Sequence, residues 1–309
     1  MASLGFTLRQ LEYFEAVATE GSLAAAAGLW HVTPSAITLA LDELERHLGV
    51  QLVIRRKGRG VSLTAEGTRM LARARVVLSS AETLSADAAR AADSVSGRLA
   101  VGCFTTLTPF YVPAIVDWFS RQHPAVELDV TTASAEQLQD QLALGRLDAA
   151  LMYSVDVSPS LTFDPVAEHR PHALLPATHP LARGTAVSLA ALEDEPFVML
   201  DVSPARQNTE GIFTRLGLTM NLAHVSTSFE AVRCLVGAGL GYAVLFQRPA
   251  TDTTYDGHAV RALDLTETVP PTVVGLARPA GAPRTARTEA LRTFLVDRDR
   301  VRAGGAGRR

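Results

Sequence analysis

The chain has only two cysteines in 309 residues, Cys103 and Cys234, far apart and in no metal-ligand spacing. That argues against a disulfide framework or a zinc site and fits reduced thiols in a cytoplasmic protein. It has one lysine, Lys57, among 29 basic residues, so arginine is its default cation. An arginine here is therefore weak evidence for bidentate recognition. No apolar run approaches the eighteen or so residues of a membrane span. The opening MASLGFTLRQ lacks a basic stretch followed by a long apolar core, so no secretory signal is expected. Enzyme signatures are also missing. There is no Gly-x-Ser-x-Gly and no phosphate-binding loop, and Gly237, Gly239 and Gly241 precede an apolar run instead of following one. His169 and His172 are three apart, but Pro171 between them argues against a helical metal pair. No catalysis, metal or cofactor is expected. The net charge of −3 excludes a chain-wide basic field, so affinity for a polyanion must come from a local patch.

What is present begins with SLAAAAGLWHVTPSAITLALDELE, residues 22–45. Ser22 can cap a first helix through the alanine run Ala24 to Ala27. Gly28 ends it, and Leu29 and Val32 are the expected inward anchors of the turn. Thr33 as N-cap with Pro34 at the first helical position opens a second helix. Ile37, Leu41, Leu44 and Leu48 form its buried stripe. Ser35, Thr38, Leu39 and Asp42 face away. A small, polar N-terminal half on an exposed second helix suits entry into the major groove of double-stranded DNA. The plainer reading is a helical hairpin from any all-α protein.

The next residues favour DNA. Val50 to Ile54 and Val61 to Leu63 are β-prone runs around the basic turn Arg55-Arg56-Lys57-Gly58-Arg59-Gly60. That is a wing with phosphate-binding cations at its tip. Leu8, Leu11, Phe14 and Val17 give a supporting first helix. Thr64 can cap a long helix running to about Ala92. In it Met70, Val77, Leu84 and Ala91 recur every seven residues, with Ala74, Ala81 and Ala88 offset by four. Such a seam pairs a helix with its twin, although an ordinary amphipathic helix fits the same spacing.

After the break at residues 93–97 the pattern turns α/β. RLAVGC, VELDVT and LDAALMY read as strands separated by two helices, which implies a parallel sheet. A second α/β unit follows, with PFVMLD as a strand and helices near 207–216 and 229–238. Residues 273–277 return to the first sheet, 289–300 form a last helix, and 303–309 read as a disordered tail. The expected division is 1–64 winged helix-turn-helix, 65–93 linker helix and 98–302 a two-lobed unit. Its lobes are about 98–165 with 269–302, and 166–268.

The run LRQLEYFEAVATEGSLAAAAGLWHVTPSAITLALDELERHLGVQL, with Arg55 and GVSLTAEG after it, resembles the N-terminus of LysR-type transcriptional regulators over about sixty residues without gaps. It departs from the family's common pattern at Thr33-Pro34-Ser35, at Leu39 and Ala40, and at Val53. GRLAVGCF, HPAVELDV, LGRLDAAL, HPLA, DEPFVMLD and VGAGLGYAVL extend the resemblance to the family's effector unit, a periplasmic-binding-protein-like module. The resemblance implies an operator-binding regulator that dimerises through the linker helix, forms a tetramer, and binds a small-molecule inducer between the lobes. Ligands sit at the carboxyl ends of parallel strands, which directs attention to three places. Thr105 and Thr106 open a helix after the first strand and suit a carboxylate, or are simple caps. Asp201, Ser203 and Arg206 leave a strand end in the second unit. Thr227 and Ser228 open another helix, a mirror of the first site. Phe104 and Phe229 are apolar walls or core. Cys103 is a packed residue, with a thiol sensor as the lesser reading. The competing functions are a solute-binding protein fused to a helical domain, which would need an export signal, and an architectural DNA-binding protein, which would not need the α/β half.

Overall fold

A computed structural model describes residues 5–56, 60–89, 95–155 and 157–306. The first helix, α1 (Leu8–Glu20), starts in a reciprocal capping box between Thr7 and Gln10 and ends at Gly21 in the left-handed region. Helix α2 (Leu23–Leu29) is capped by Ser22 and α3 (Pro34–Leu48) by Thr33, each hydroxyl accepting from the third residue on. The two helices are bent 105° from one another, with His31 at φ 51° in the turn between them. That angle is the one helix-turn-helix units use. Ile37, Leu41 and Leu44 are fully buried, against Leu11, Phe14 and Val17 of α1.

Two expected anchors behave otherwise. Leu29 is 63% exposed and Leu8 47% exposed. Trp30 does the packing in the turn, edge-on to Tyr13 at 5.8 Å with the Arg9 guanidinium over its ring. The larger indole covers more core than a leucine one position earlier on the helix, which leaves Leu29 outside.

Strands β1 (Val53–Arg56) and β2 (Gly60–Leu63) pair antiparallel as the wing. Glu45 of α3 anchors its base by accepting from the Leu52 and Val53 amides at 2.7 and 3.0 Å. The long helix α4 (Ala65–Ala89) begins at the Thr64 cap. A side chain at Gly67 would place its Cβ 2.0 Å from the Leu52 carbonyl oxygen, so only glycine lets α4 close on the wing. Leu71, Ala74 and Leu78 of α4 are buried against the winged unit, so Ala74 serves its own core and not a shared seam. Val77 and Leu84 are 43% and 72% exposed. Ala91 lies outside the described residues.

The remainder is two α/β lobes. In chain order lobe 1 has β3 (Gly97–Phe104), α5 (Thr108–Gln122), β4 (Val126–Ala133), α6 (Ala135–Ala143), β5 (Ala149–Tyr153) and β6 (Leu161–His169). Lobe 2 has β7 (His172–Pro176), β8 (Ala186–Val187), β9 (Phe197–Leu200), α7 (Ala205–Leu216), β10 (Leu222–Ser226), α8 (Phe229–Gly237), β11 (Ala243–Leu245) and β12 (Val260–Leu265). The chain then returns to lobe 1 as β13 (Thr272–Pro279) and α9 (Ala286–Ala306).

The lobe 1 sheet runs β4-β3-β5-β13-β6, parallel through β4, β3 and β5 and antiparallel where β13 joins. In lobe 2 the order is β11-β7-β12-β8, extended by the parallel pair β10-β9 through a Phe197–Tyr242 bridge. The first crossing lies at Arg170-Pro171, not near 165, because β6 stays hydrogen-bonded to β13 as far as His169. The last helix continues past Arg300 to Ala306, so most of the expected tail is helical, and 307–309 lie outside the described residues.

Arg75 of α4 joins the units. Its Nε donates to Glu15 of α1 and one Nη to the Leu144 carbonyl at the end of α6, both at 2.8 Å. Gly145 follows at φ 61°, where a Cβ would lie 2.9 Å from the Arg75 Cβ.

Candidate functional site

The exposed face of α3 carries Ser35, Leu39 and Asp42, with Thr38 half-buried. Leu39 is 63% exposed, an apolar side chain held outward by the buried stripe behind it. Thr33 and Ser22 spend their hydroxyls on caps, and Pro34 fills the first helical position. On the wing, Arg55 donates to Asp42 at 2.5 Å. Two residues expected to act separately are thus joined, and their charges offset one another in the free protein. The side chain of Arg56, and Lys57 and Arg59 altogether, lie outside the described residues.

The second candidate is the cleft between the lobes. Thr105 is exposed and donates to the Ala133 carbonyl at 3.1 Å. Thr106 is 5% exposed; its hydroxyl makes no full hydrogen bond among the described residues, although the Tyr153 hydroxyl lies near it. Burial raises the Tyr153 phenol far above its ordinary range, so it remains a neutral donor and acceptor. Helix α5 starts just beyond, without a side-chain cap. The Leu107 and Phe110 amides are bonded to the Phe104 and Leu107 carbonyls, so it is the Thr106 hydroxyl that leaves this end able to receive an acceptor group.

The lobe 2 residues differ from expectation. Ser228 caps α8, accepting from the Ala231 amide at 3.3 Å, and Thr227 is exposed beside it. Arg206 is held by Asp201 at 3.0 Å and Glu210 at 2.8 Å, which keep its guanidinium charged and already compensated. Ser203 accepts from Gln207 at 3.2 Å. Phe104 is a core residue, 1% exposed and edge-on to Tyr153, because the end of β3 turns into the lobe and not toward the cleft. Phe229 does meet the other lobe, edge-on to Phe110 of α5 at 5.7 Å. Val202 packs against both the lobe 1 core and the α8 side of lobe 2. Phe110 and Tyr153 were not anticipated. Phe110 lies one helical turn past Thr106, and Tyr153 ends a wholly buried strand, so spacing and strand parity held the signal.

Cys103 is not a poised thiolate. Burial pushes the Cys103 thiol up to about 12. Cys234 lies in the middle of α8, in the other lobe. Among the described residues no group of three or more His, Cys, Asp or Glu is placed to hold a metal. No single described helix is long and apolar enough to cross a membrane.

Two family models match. "Bacterial regulatory helix-turn-helix protein, lysR family" covers residues 8–68, and "LysR substrate binding domain" covers 92–300. A probable hydrogen peroxide-inducible genes activator of Mycobacterium avium is 31% identical over 78% of each chain. The Escherichia coli dual regulator OxyR is 29% identical over 92% of this chain and 93% of its own. Among solved structures, HinK, a LysR family regulator from Pseudomonas aeruginosa, is 34% identical over 95% of this chain and 99% of its own, with a TM-score of 0.65. Members of this family are DNA-binding regulators with an effector-binding domain, and not a class of enzymes. Each model falls on one of the folded units built above, and the second alone covers most of the sequence. The chain belongs to the LysR family and is a LysR-type transcriptional regulator.

Proposed function

We propose that this regulator binds its operator as a dimer paired through α4, with Leu39, Ser35 and Thr38 reading bases and the wing cations contacting phosphate. The exposed stripe of Val77 and Leu84, beside the stripe of Leu71, Ala74 and Leu78 that α4 buries in its own domain, supports the pairing. Exposed Val116 on α5, with Leu222 and Val225 on β10, supports further assembly into a tetramer through the effector units. Leu39 has only apolar contact to offer, and a thymine methyl is the base group that accepts it. As an operator-binding protein it acts in the cytoplasm, where its DNA lies.

The effector is a small molecule held between the lobes, with a carboxylate or similar acceptor at the start of α5. The observation that carries this is the buried Thr106 hydroxyl left without a full partner beside an uncapped helix end. Arg206 plays no direct part, since two carboxylates occupy it. The peroxide response named for several relatives would need a reactive thiolate if it used a cysteine. A protonated, fully buried Cys103 and a mid-helix Cys234 argue against that chemistry here.

Sedimentation and fluorescence anisotropy test the first part. Placing two negative charges on the stripe with Val77→Glu and Leu84→Glu is expected to yield monomers and to weaken operator binding more than tenfold. A variant that stays dimeric refutes the α4 pairing. A thermal-shift screen of small carboxylates against the full chain, repeated on Thr106→Val, tests the second. A stabilising compound that acts equally on the variant refutes the Thr106 site.

A further inference from the structure

A second cavity lies inside lobe 2, beneath α8 and apart from Thr106. Its volume is about 270 Å³, and His172, Leu174, Arg233, Leu245 and Arg248 are among its walls. His172 opens β7 and shares a sheet face with Leu174, the face that α8 covers. It is fully buried, and neither ring nitrogen meets a hydrogen-bond partner among the described residues. A neutral imidazole always carries one donor and one acceptor, so a native core rarely leaves both idle.

Arg233 of α8 stands opposite, 3% exposed. One Nη donates to Glu230 at 2.7 Å, and the other to the carbonyls of Thr251 and Thr253 at 3.0 and 3.1 Å. Its Nε–H is buried and unpaired. Arg248, at the mouth, is steadied by Asp264 at 2.5 Å. The charges that act on His172 are those of Arg248, Arg233 and His169, all basic groups, and together with burial they hold its imidazole neutral, down to about 3. Two donors, the imidazole N–H and the Arg233 Nε–H, thus belong to the cavity wall, together with Arg248 and one carboxylate, Asp252. The space is several times the ~30 Å³ share of one water molecule.

We propose that this cavity is a binding site for a small oxyanion, a phosphate, sulfate or short carboxylate, hydrogen-bonded by His172 and the Arg233 Nε–H. Such an anion satisfies both orphan donors at once, as charge-assisted bonds, where water would supply no charge. The site does not use Thr106. It reports instead on α8, whose first turn carries Phe229 against Phe110 of lobe 1. Occupancy would brace α8 in the position that closes the lobes.

Isothermal titration of the full-length protein with inorganic phosphate, at constant ionic strength set with chloride, tests this. The expected result is saturable binding that weakens at least tenfold in His172→Phe, which fills the cavity with an apolar ring. His172→Gln, which keeps a donor and an acceptor, should recover most of it, and Thr106→Val should leave it within twofold. Phosphate affinity unchanged in His172→Phe, or no saturable binding to the unaltered protein, overturns the proposal and leaves a cavity of water only. Should the phenylalanine variant not fold, crystals of the unaltered protein soaked in selenate decide the matter. An anomalous peak within hydrogen-bond distance of His172 and Arg233 supports the site, and its absence refutes it.

Discussion

The two lobes share an α/β plan yet differ in which titratable groups they bury. Lobe 1 encloses weak acids: Cys103, Tyr111 and Tyr153 are all pushed upward by burial, as is Asp148. Lobe 2 buries a histidine, His172, with Arg233 and the Tyr242 phenol, while lobe 1 also buries Arg287. The hydroxyl pairs that look like mirror images in the sequence follow the same divide. Thr106 lies buried beside a neutral phenol with no cap to make, while Ser228 is committed to capping α8. Similar motifs on a duplicated plan thus do different work once the strand beside them is specified. The lobe 1 end is left open to a ligand, and the lobe 2 end is closed by its own backbone.

The largest expected consequence is at acid pH. His172 is held near 3 in the fold against 6.5 in an unfolded chain. The unfolded state then binds the extra proton between those values, so stability is lost as pH falls through 6.5 toward 3. At ~1.4 kcal/mol per unit the loss reaches about 2 kcal/mol by pH 5 and about 5 kcal/mol by pH 3. Hydrogen exchange over β7 and α8 should register it, and His172→Leu should flatten the profile. A profile unaltered by that substitution would refute the assignment. Lobe 1 should fail at the other extreme. Cys103 stays protonated to about 12 in the fold but ionises from 9.0 when unfolded, so stability falls as pH rises above 9. About 3 kcal/mol should be gone by pH 11 from this thiol alone. Trp118, stacked on Phe294 at 4.8 Å, is a fluorescent reporter for that lobe. An alkaline transition seen first in lobe 2 breaks the contrast.

Smaller effects sharpen it. Thr106→Val keeps shape and removes a hydroxyl, and should weaken effector binding about tenfold, or ~1.4 kcal/mol, with little change in folding. Ser228→Ala should do the reverse, lowering stability by about 1 kcal/mol and leaving effector affinity within twofold. Equal effector losses in both would restore the mirror symmetry that the structure denies. Arg206→Ala is expected to change effector affinity less than threefold, measured by the same titration, because Asp201 and Glu210 already compensate its charge.

What the sequence made legible was local. Caps at Thr33, Ser22 and Thr64, the Ile37-Leu41-Leu44 stripe and the wing depend on residues within a few positions of each other, and all are found. The parallel run of β3, β4 and β5 followed from alternation of elements, and residues 273–277 were readable as a return to that sheet, but the order of the strands was not. Contacts between distant segments were hidden. Nothing near Arg55 announces that it reaches Asp42, or that β6 runs on to His169 before crossing. Phe104 looked like a cleft wall because it ends a strand, yet parity turns it into the core against Tyr153. The Arg206–Glu210 pair was readable from its spacing of four, whereas its pairing with Asp201 needed the loop between them. His172 was dismissed as half of a failed metal pair, and only the pairing of β7 on both sides explains its burial.

The Arg75 junction has a mechanical meaning. At ~1.5 Å per residue, α4 is a rod roughly 38 Å long, and Arg75 lies ~15 Å from its winged end. Because the same guanidinium grips Glu15 on one side and the Leu144 carbonyl on the other, it is the fulcrum of that rod. A tilt of about ten degrees in lobe 1 relative to the rod would swing the reading head by roughly 3 Å, close to the ~3.4 Å rise between stacked base pairs. One arginine would thereby set how far a movement of lobe 1 is passed to the winged unit.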